Sequence, residues 1–290
     1  MISILPKNAS TAQLHGYLLG AVGPRPIAFA STLDKEGNPN LAPFSFFNVF
    51  SADPPILIFS PARRVRDNTT KHTLENVLET REVVINVVSF DMVQQMSLAS
   101  TEYPKGENEF KKSGLTMRPS DEVAPHRVAE SPVQFECKVA KVEALGTNGG
   151  AGNLVFCEIL KLHIATSILD VKGTIDPYKI DQVARMGGNW YSRANKGIFQ
   201  VPKPLSQLGI GVDRIPENIR LSKVLTGNDL GKLGNVAHIP TGKEVEDFLG
   251  IHESIRNMRD LGDKERLHEK AKEYLEKNDT DAAWKTLLAL

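Results

Sequence analysis

Cysteine is scarce. The 290 residues contain two, Cys137 and Cys157, each inside an apolar run (FEC and VFCEI) with no Cys-x-x-Cys spacing and no His pair nearby. That points away from a zinc site or a dithiol redox motif and predicts two buried, reduced thiols. Net charge is missing too: Lys plus Arg and Asp plus Glu both number 35. No overall field therefore draws in nucleic acid or an anionic membrane, and any anion site must be local. No apolar run approaches the roughly 20 residues of a membrane span. The opening MISILPKNAS lacks the apolar core of a signal peptide, because Pro6 and Lys7 stop its short hydrophobic stretch. Together these absences predict a cytoplasmic protein with neither nucleic acid nor membrane as partner.

Two glycine-rich stretches lack what would make them nucleotide sites. Gly146–Gly152 has no Gly-Lys-Ser/Thr ending, which excludes a P-loop and leaves a hairpin turn. Thr226–Gly231 has no clear strand–helix unit around it and reads as a turn rather than a dinucleotide fingerprint. Internal repeats and low-complexity tracts are absent from the sequence.

What is present is an ordinary globular composition, 41% hydrophobic and 24% charged, long enough for a large core without staples. Strands are expected over Ile27–Leu33, Leu41–Phe50, Ile56–Ser60 and Val83–Val88, with Asp34–Asn38 as a turn and Asp53-Pro54-Pro55 as a break. Thr69–Glu79 has apolar residues at helical spacing, and Met92–Ala99 reads as a second short helix. Tyr103–Arg127 is polar and rich in Lys, Pro and Gly, which predicts a long surface excursion. Val133–Leu145 and Leu154–Ile168 read as a hairpin of long strands. Many strands and few helices argue for a mainly β (α+β) antiparallel barrel with accessory helices, not a doubly wound sheet. The chain then changes character. Pro202–Asn235 reads as a structured connection, Thr241–Glu244 has capping-box spacing, and helices follow at Lys264–Lys277 and Asp281–Leu288. The expected division is a barrel domain over 1–200 and a connecting segment with a helical C-terminal extension over 201–290.

Two clusters carry chemistry. Gly23–Thr32 and Asn40–Asn48 combine small residues, hydroxyls and an Asn among aromatics. A flat apolar ring needs such walls, and its polar edges need backbone or amide groups; the same residues also suit a plain barrel core. Arg63–Asn76 is locally basic in a neutral protein, with Thr69, Thr70 and Thr73 at an expected helix start. Helix amides, Lys and hydroxyls make a phosphate site, although the threonines also suit a simple solvated cap.

These segments resemble flavin reductase-like FMN-binding proteins. The likeness runs in order through Gly23–Thr32 with Asn40–Asn48, Ser51–Ile56, Lys71–Val77, Glu130–Cys137 and Val183–Tyr191, roughly from Gly16 to Phe199. It implies an FMN-binding split β-barrel that works as a homodimer. Arg25, Pro26, Ala42, Pro43, Ser45, Phe46, Phe47 and Asn48 would line the isoalloxazine and ribityl parts. Ser60, Lys71 and Thr73 would hold the phosphate or nearby ribityl oxygens, helped by Arg64 or Arg66. Arg185 would approach the cofactor or the neighbouring subunit, and His163 would assist nicotinamide binding or proton delivery. As a strand residue, His163 also suits a half-buried ring satisfied by a neighbour, and His126 reads as a surface residue. The family commonly has an acidic residue between its Lys and Thr, where this chain has His72. The implied activity is NAD(P)H-dependent flavin reduction, with FMN and NAD(P)H as small-molecule partners. The alternatives are a flavoredoxin-like electron carrier with a redox partner protein, a flavin-dependent oxygenase, or a barrel whose flavin site has decayed.

Overall fold

A computed structural model describes residues 1–201 and 208–289. The chain divides into two compact units, Met1–Ile198 and Phe199–Leu290.

The first unit opens with helix α1 (Thr11–Ala21), capped by the Ser10 hydroxyl, which accepts the Gln13 N–H. Strands β1 (Ala28–Leu33), β2 (Pro39–Phe44), β3 (Phe47–Ala52) and β4 (Pro55–Phe59) follow. Next come α2 (His72–Thr80), β5 (Glu82–Asn86), α3 (Val93–Leu98), α4 (Glu109–Ser113) and the two-residue strands β6 (Met117–Arg118) and β7 (Arg127–Val128). The long strands β8 (Val133–Ala144) and β9 (Asn153–Ile164) and the short pair β10 (Val183–Arg185) and β11 (Tyr191–Arg193) complete it. Seven strands form one antiparallel sheet in the order β2-β1-β5-β8-β9-β4-β3. The β8–β9 ladder shifts register at Glu136/Cys137 and at Val139/Lys141. Such bulges bend a strand and let one hairpin serve both halves of a curved sheet.

Side-chain alternation on β1 explains why the sheet is covered on both faces. Ala28 and Ala30 point into a core with Phe44, Phe59, Ile85, Cys137 and Cys157, plugged by Leu74 and Val77 of α2. Phe29 points the other way, into a second core with Leu41, Met92, Met96, Phe110 and Leu115. The two free cysteines are buried as expected, and burial pushes both thiols well up.

Several expectations change here. The run Leu41–Phe50 is two strands, because the chain bends at Ser45–Phe46 and carries β2 and β3 to opposite edges of the sheet. Pro43, which has no N–H to give, fits because β2 is an edge strand. Residues 103–127 do not form a purely surface excursion: Phe110, Leu115 and Val123 are buried, and α4 seals the edge of β2 through the Leu41 N–H, which donates to Glu109 Oε2 at 3.0 Å. Helix α2 begins at His72, so Thr69 and Thr70 precede it. Their hydroxyls donate to Asp67 and Glu75, both at 2.6 Å.

The second unit is helical: α5 (Glu217–Arg220), α6 (Gly227–Gly234), α7 (Gly242–Ile251), α8 (Glu253–Asp260), α9 (Lys264–Glu276) and α10 (Thr280–Leu287). Ile219, Leu233, Ala271, Leu275 and Trp284 form its core. The capping box Thr241/Glu244 forms as its spacing predicts. Thr226–Gly231, read from sequence as a turn, instead starts α6 through a second capping box, Thr226/Asp229. Of the expected connection 202–235, residues 202–207 lie outside the described residues. Ile215, Ile219, Leu225 and Leu233 from the remainder are core, so this stretch is part of the helical unit.

Candidate functional site

Arg25 is the organiser of the site. Only 6% exposed, it donates Nη1 to the carbonyls of Leu19 and Val22 at the end of α1 and Nη2 to the carbonyl of Met186. Its Nε reaches Ser45 Oγ at 3.5 Å, and its backbone exchanges two 2.9 Å hydrogen bonds with Arg185. A basic side chain closing a helix C-terminus satisfies carbonyls that the helix leaves open. Arg25 thus ties α1, the β2–β3 bend and the 185–188 turn together, and its donors are already committed.

Around this clamp, Pro26, Ala42, Pro43, Ser45 and Phe47 are half-buried, while Phe46 and Asn48 are exposed on the bend and β3. The Ser60 N–H donates to the Phe46 carbonyl at 2.8 Å, which fixes the bend against the end of β4. Arg185 stacks on Tyr191 at 4.6 Å and donates to the Gly188 carbonyl.

The second half of the site surrounds the start of α2. Lys71 is the N-cap residue and gives no side-chain cap, so the amides of His72 and Thr73 remain beyond what the helix itself satisfies. Lys71 Nζ lies over the Phe44 ring at 5.3 Å. Burial, and then the nearby Arg64 guanidinium, lower its pKa. Among the described residues no carboxylate lies within salt-bridge distance of Lys71 Nζ. These two cations line a cleft of about 50 Å³ with Asn40, Thr73 and the carboxylates of Glu102 and Glu109; the crowding of Lys71 and Arg64, two like charges, favours an anion bound between them. Thr73 Oγ1 accepts from Asn40 Nδ2 at 2.8 Å, and Ser60 Oγ accepts the Asn153 N–H at 3.0 Å. Among the described residues neither hydroxyl donates to a protein acceptor, which leaves each able to donate.

The glycine-rich turn between β8 and β9 supports this half. A Cβ on Gly149 would meet the carbonyl oxygens of Arg64 and Val65 at 3.0 and 3.1 Å, and one on Gly152 would meet Ser60 Oγ at 2.8 Å. Gly150 N–H donates to Arg63 and Arg63 N–H to Ala151, at 3.0 and 2.8 Å. These glycines allow backbone to pack on the basic loop.

Sequence matches identify the scaffold. The profile of the flavin reductase like domain matches residues 21–175, a little over half of the chain. The chain belongs to the flavin reductase-like family. An uncharacterised Aquifex aeolicus relative is 40% identical over 188 residues, spanning 65% of this chain and 93% of its own. Nitrilotriacetate monooxygenase component B from Bacillus cereus is similar in structure, with TM-score 0.65, 27% identity and coverage of 69% of this chain and 98% of its own. A candidate flavin reductase with a split barrel domain from Shewanella frigidimarina gives TM-score 0.59 and 25% identity over 70% and 100% of the two chains. The fold is the split barrel of flavin-related oxidoreductases, with a helical unit beyond the matched domain.

Within this flavin reductase-like domain the structure brings Arg25, Pro26 and Ser45 together, and likewise Ala42, Lys71, Thr73 and Arg64. His163 is engaged elsewhere: its Nε2 lies 2.6 Å from Glu136 Oε1. Glu136 is fully buried. Burial alone would raise its pKa, but the N–H groups of Asp121 and Glu122, with His163, hold it below the usual range. Asp121, Glu136 and His163 place their ligand atoms within 4.8 Å of one another, yet Lys161 sits 2.9 Å from Asp121 and Arg127 3.7 Å from Glu136. Protein cations already compensate this group, which ties residues 121–127 to the hairpin. His126 is half-buried rather than exposed, and its Nδ1 has no partner among the described residues. Sequence reasoning missed Asn40, Glu102 and Glu109, because each acts through a partner 33 to 68 residues away.

Proposed function

We propose that this protein binds FMN in the cradle around Arg25 and α2 and acts as an NAD(P)H-dependent flavin reductase, working as a homodimer. The observation that carries the proposal is Lys71: a half-buried ammonium beside Arg64, with no carboxylate within salt-bridge distance among the described residues, at a helix start with open amides. That donor set matches a phosphate monoester and gives a reason to favour FMN over riboflavin. Ala42, Pro43 and Phe47 supply an apolar wall, while Ser45, Phe46 and Asn48 offer polar groups at the bend for a ring edge. Bound FMN would supply the redox chemistry, hydride exchange with a nicotinamide being the flavin's own. The chain's task is to position and desolvate it, which requires no side-chain acid or base. In this reading Ser60 and Thr73 donate to phosphate or ribityl oxygens, Arg25 sets the bend from behind, and His163 takes no proton-transfer step.

Likeness to a monooxygenase component B supports a second reading, in which the reduced flavin serves a partner oxygenase. The binding half of the proposal is tested by Lys71→Met, titrated with FMN and with riboflavin. A loss of FMN affinity of about tenfold or more, as expected for a charge-assisted contact, with riboflavin unchanged, is the predicted result. Equal losses for the two ligands would remove the phosphate from this cleft.

A further inference from the structure

Glu102 brings a carboxylate to the same cleft. Its carboxylate takes Arg64 Nε at 3.1 Å on one oxygen and Arg66 Nη2 at 2.9 Å on the other. It lines the cleft together with Lys71 and Thr73. Arg64 is also pinned from behind, because its Nη1 donates to Thr69 Oγ1 at 3.0 Å and to the Thr70 carbonyl. The guanidinium is fixed, and the Glu102 side chain, 53% exposed, is the partner free to swing into solvent.

We propose that Glu102 is an internal competitor for the ligand phosphate: its carboxylate takes the Arg64 and Arg66 donors that the phosphate also seeks, and it must release them for the phosphate to bind. The proposal rests on the phosphate reading above and adds to it a built-in limit on affinity that keeps the flavin exchangeable. The chemistry is a simple exchange of anions. A carboxylate and a phosphate both seek bidentate guanidinium contacts, and like charges crowded into one small site repel. Local charge shows what is at stake. Arg64, Arg66 and Lys71 give three positive charges against Glu102, Asp67 and the buried Glu109, which also lines the cleft; Asp67 is already held by Arg66 and the Thr69 N–H, and Glu109 accepts the Leu41 N–H. Neutralising Glu102 raises the net positive charge that meets the phosphate without touching the wall for the ring.

A purely structural role predicts the opposite outcome. If Glu102 only straps residues 99–103 to the basic loop, its loss loosens the cleft and weakens binding.

The test titrates the whole chain and its Glu102→Gln and Glu102→Ala variants with FMN and with riboflavin, at low and at high salt. The expected result is FMN binding tightened about two- to fivefold in both variants, the range of a partly exposed ion pair. Riboflavin binding should be unchanged, and the gain should shrink toward molar salt. Unchanged or weaker FMN binding, or an equal gain for riboflavin, would overturn the proposal. Lys71→Met run in parallel separates the two failures. FMN-selective loss there, with no tightening at Glu102, removes only the competitor. Equal loss of both ligands there removes the phosphate site itself.

Discussion

Arg25 uses every nitrogen of its guanidinium inside the protein, on two carbonyls at the end of α1, one at Met186 and the Ser45 hydroxyl. Arg25→Ala would leave these groups unpaired, and the expected cost is about 2–4 kcal/mol, read as a lowered midpoint in denaturant unfolding. An unchanged midpoint would mean that water replaces the clamp at no cost. Gly149 is the second residue-scale case. Gly149→Ala places a methyl against the Arg64 and Val65 carbonyls, and backbone cannot rotate away as a side chain can. An overpacking cost of about 1–3 kcal/mol follows, together with weaker FMN binding, because Arg64 must shift. Much of the cradle was legible at this scale. Lys71, Thr73 and Ser60 stand in short local motifs, so a resemblance read along the chain could place them. Glu102 could not be read that way: it meets Arg64 only because the fold returns to the basic loop 38 residues later. The sequence likewise offered His163 as a strand histidine but gave no sign that Glu136, diagonal to it across the β8–β9 pair and opposite Lys161, would take its ring.

Among the elements, legibility followed periodicity. α9 and α10 emerged almost as expected, because their apolar residues keep a helical repeat over two to four turns. β2 and β3 were merged, because the apolar run crosses Ser45–Phe46 without a Gly or Pro at the bend to mark it. α6 was missed for the reverse reason: its glycines suggest a turn, while its Thr-x-x-Asp cap says helix, and the cap prevailed. α9 also carries a buried titratable group. His268 Nδ1 lies 2.6 Å from Ser222 Oγ, whose oxygen accepts the amides of Val224 and Leu225. The hydroxyl therefore donates to a neutral ring. Burial, and then Lys264, lower its pKa below the ordinary 6.5. The folded group binds its proton less readily than the unfolded one, so its contribution is complete above about pH 6.5 and is lost as pH falls toward the folded value. Unfolding of the helical unit should thus become easier as pH falls below about 6.5. His268→Gln should flatten that slope, and an equal slope in the variant would assign the dependence to other groups.

For the molecule as a whole, the matched family domain ends at residue 175, and every cradle residue lies within the unit Met1–Ile198. A chain ending at Ile198 is therefore expected to bind FMN with the affinity of the full chain, measured by flavin fluorescence. Loss of binding would give residues 199–290 a part in the site. The division of labour matches the chemistry. In the proposed function the barrel would offer rigid walls and a basic cleft and the cofactor would provide the reactivity, so no single side chain need be indispensable to turnover. The central claim is tested most directly by a visible absorption spectrum of the purified protein titrated with FMN and then mixed anaerobically with NADH or NADPH. The predicted result is bound-flavin absorption that bleaches with at least one nucleotide. A protein that binds no FMN, or whose bound FMN resists both nucleotides, would contradict it.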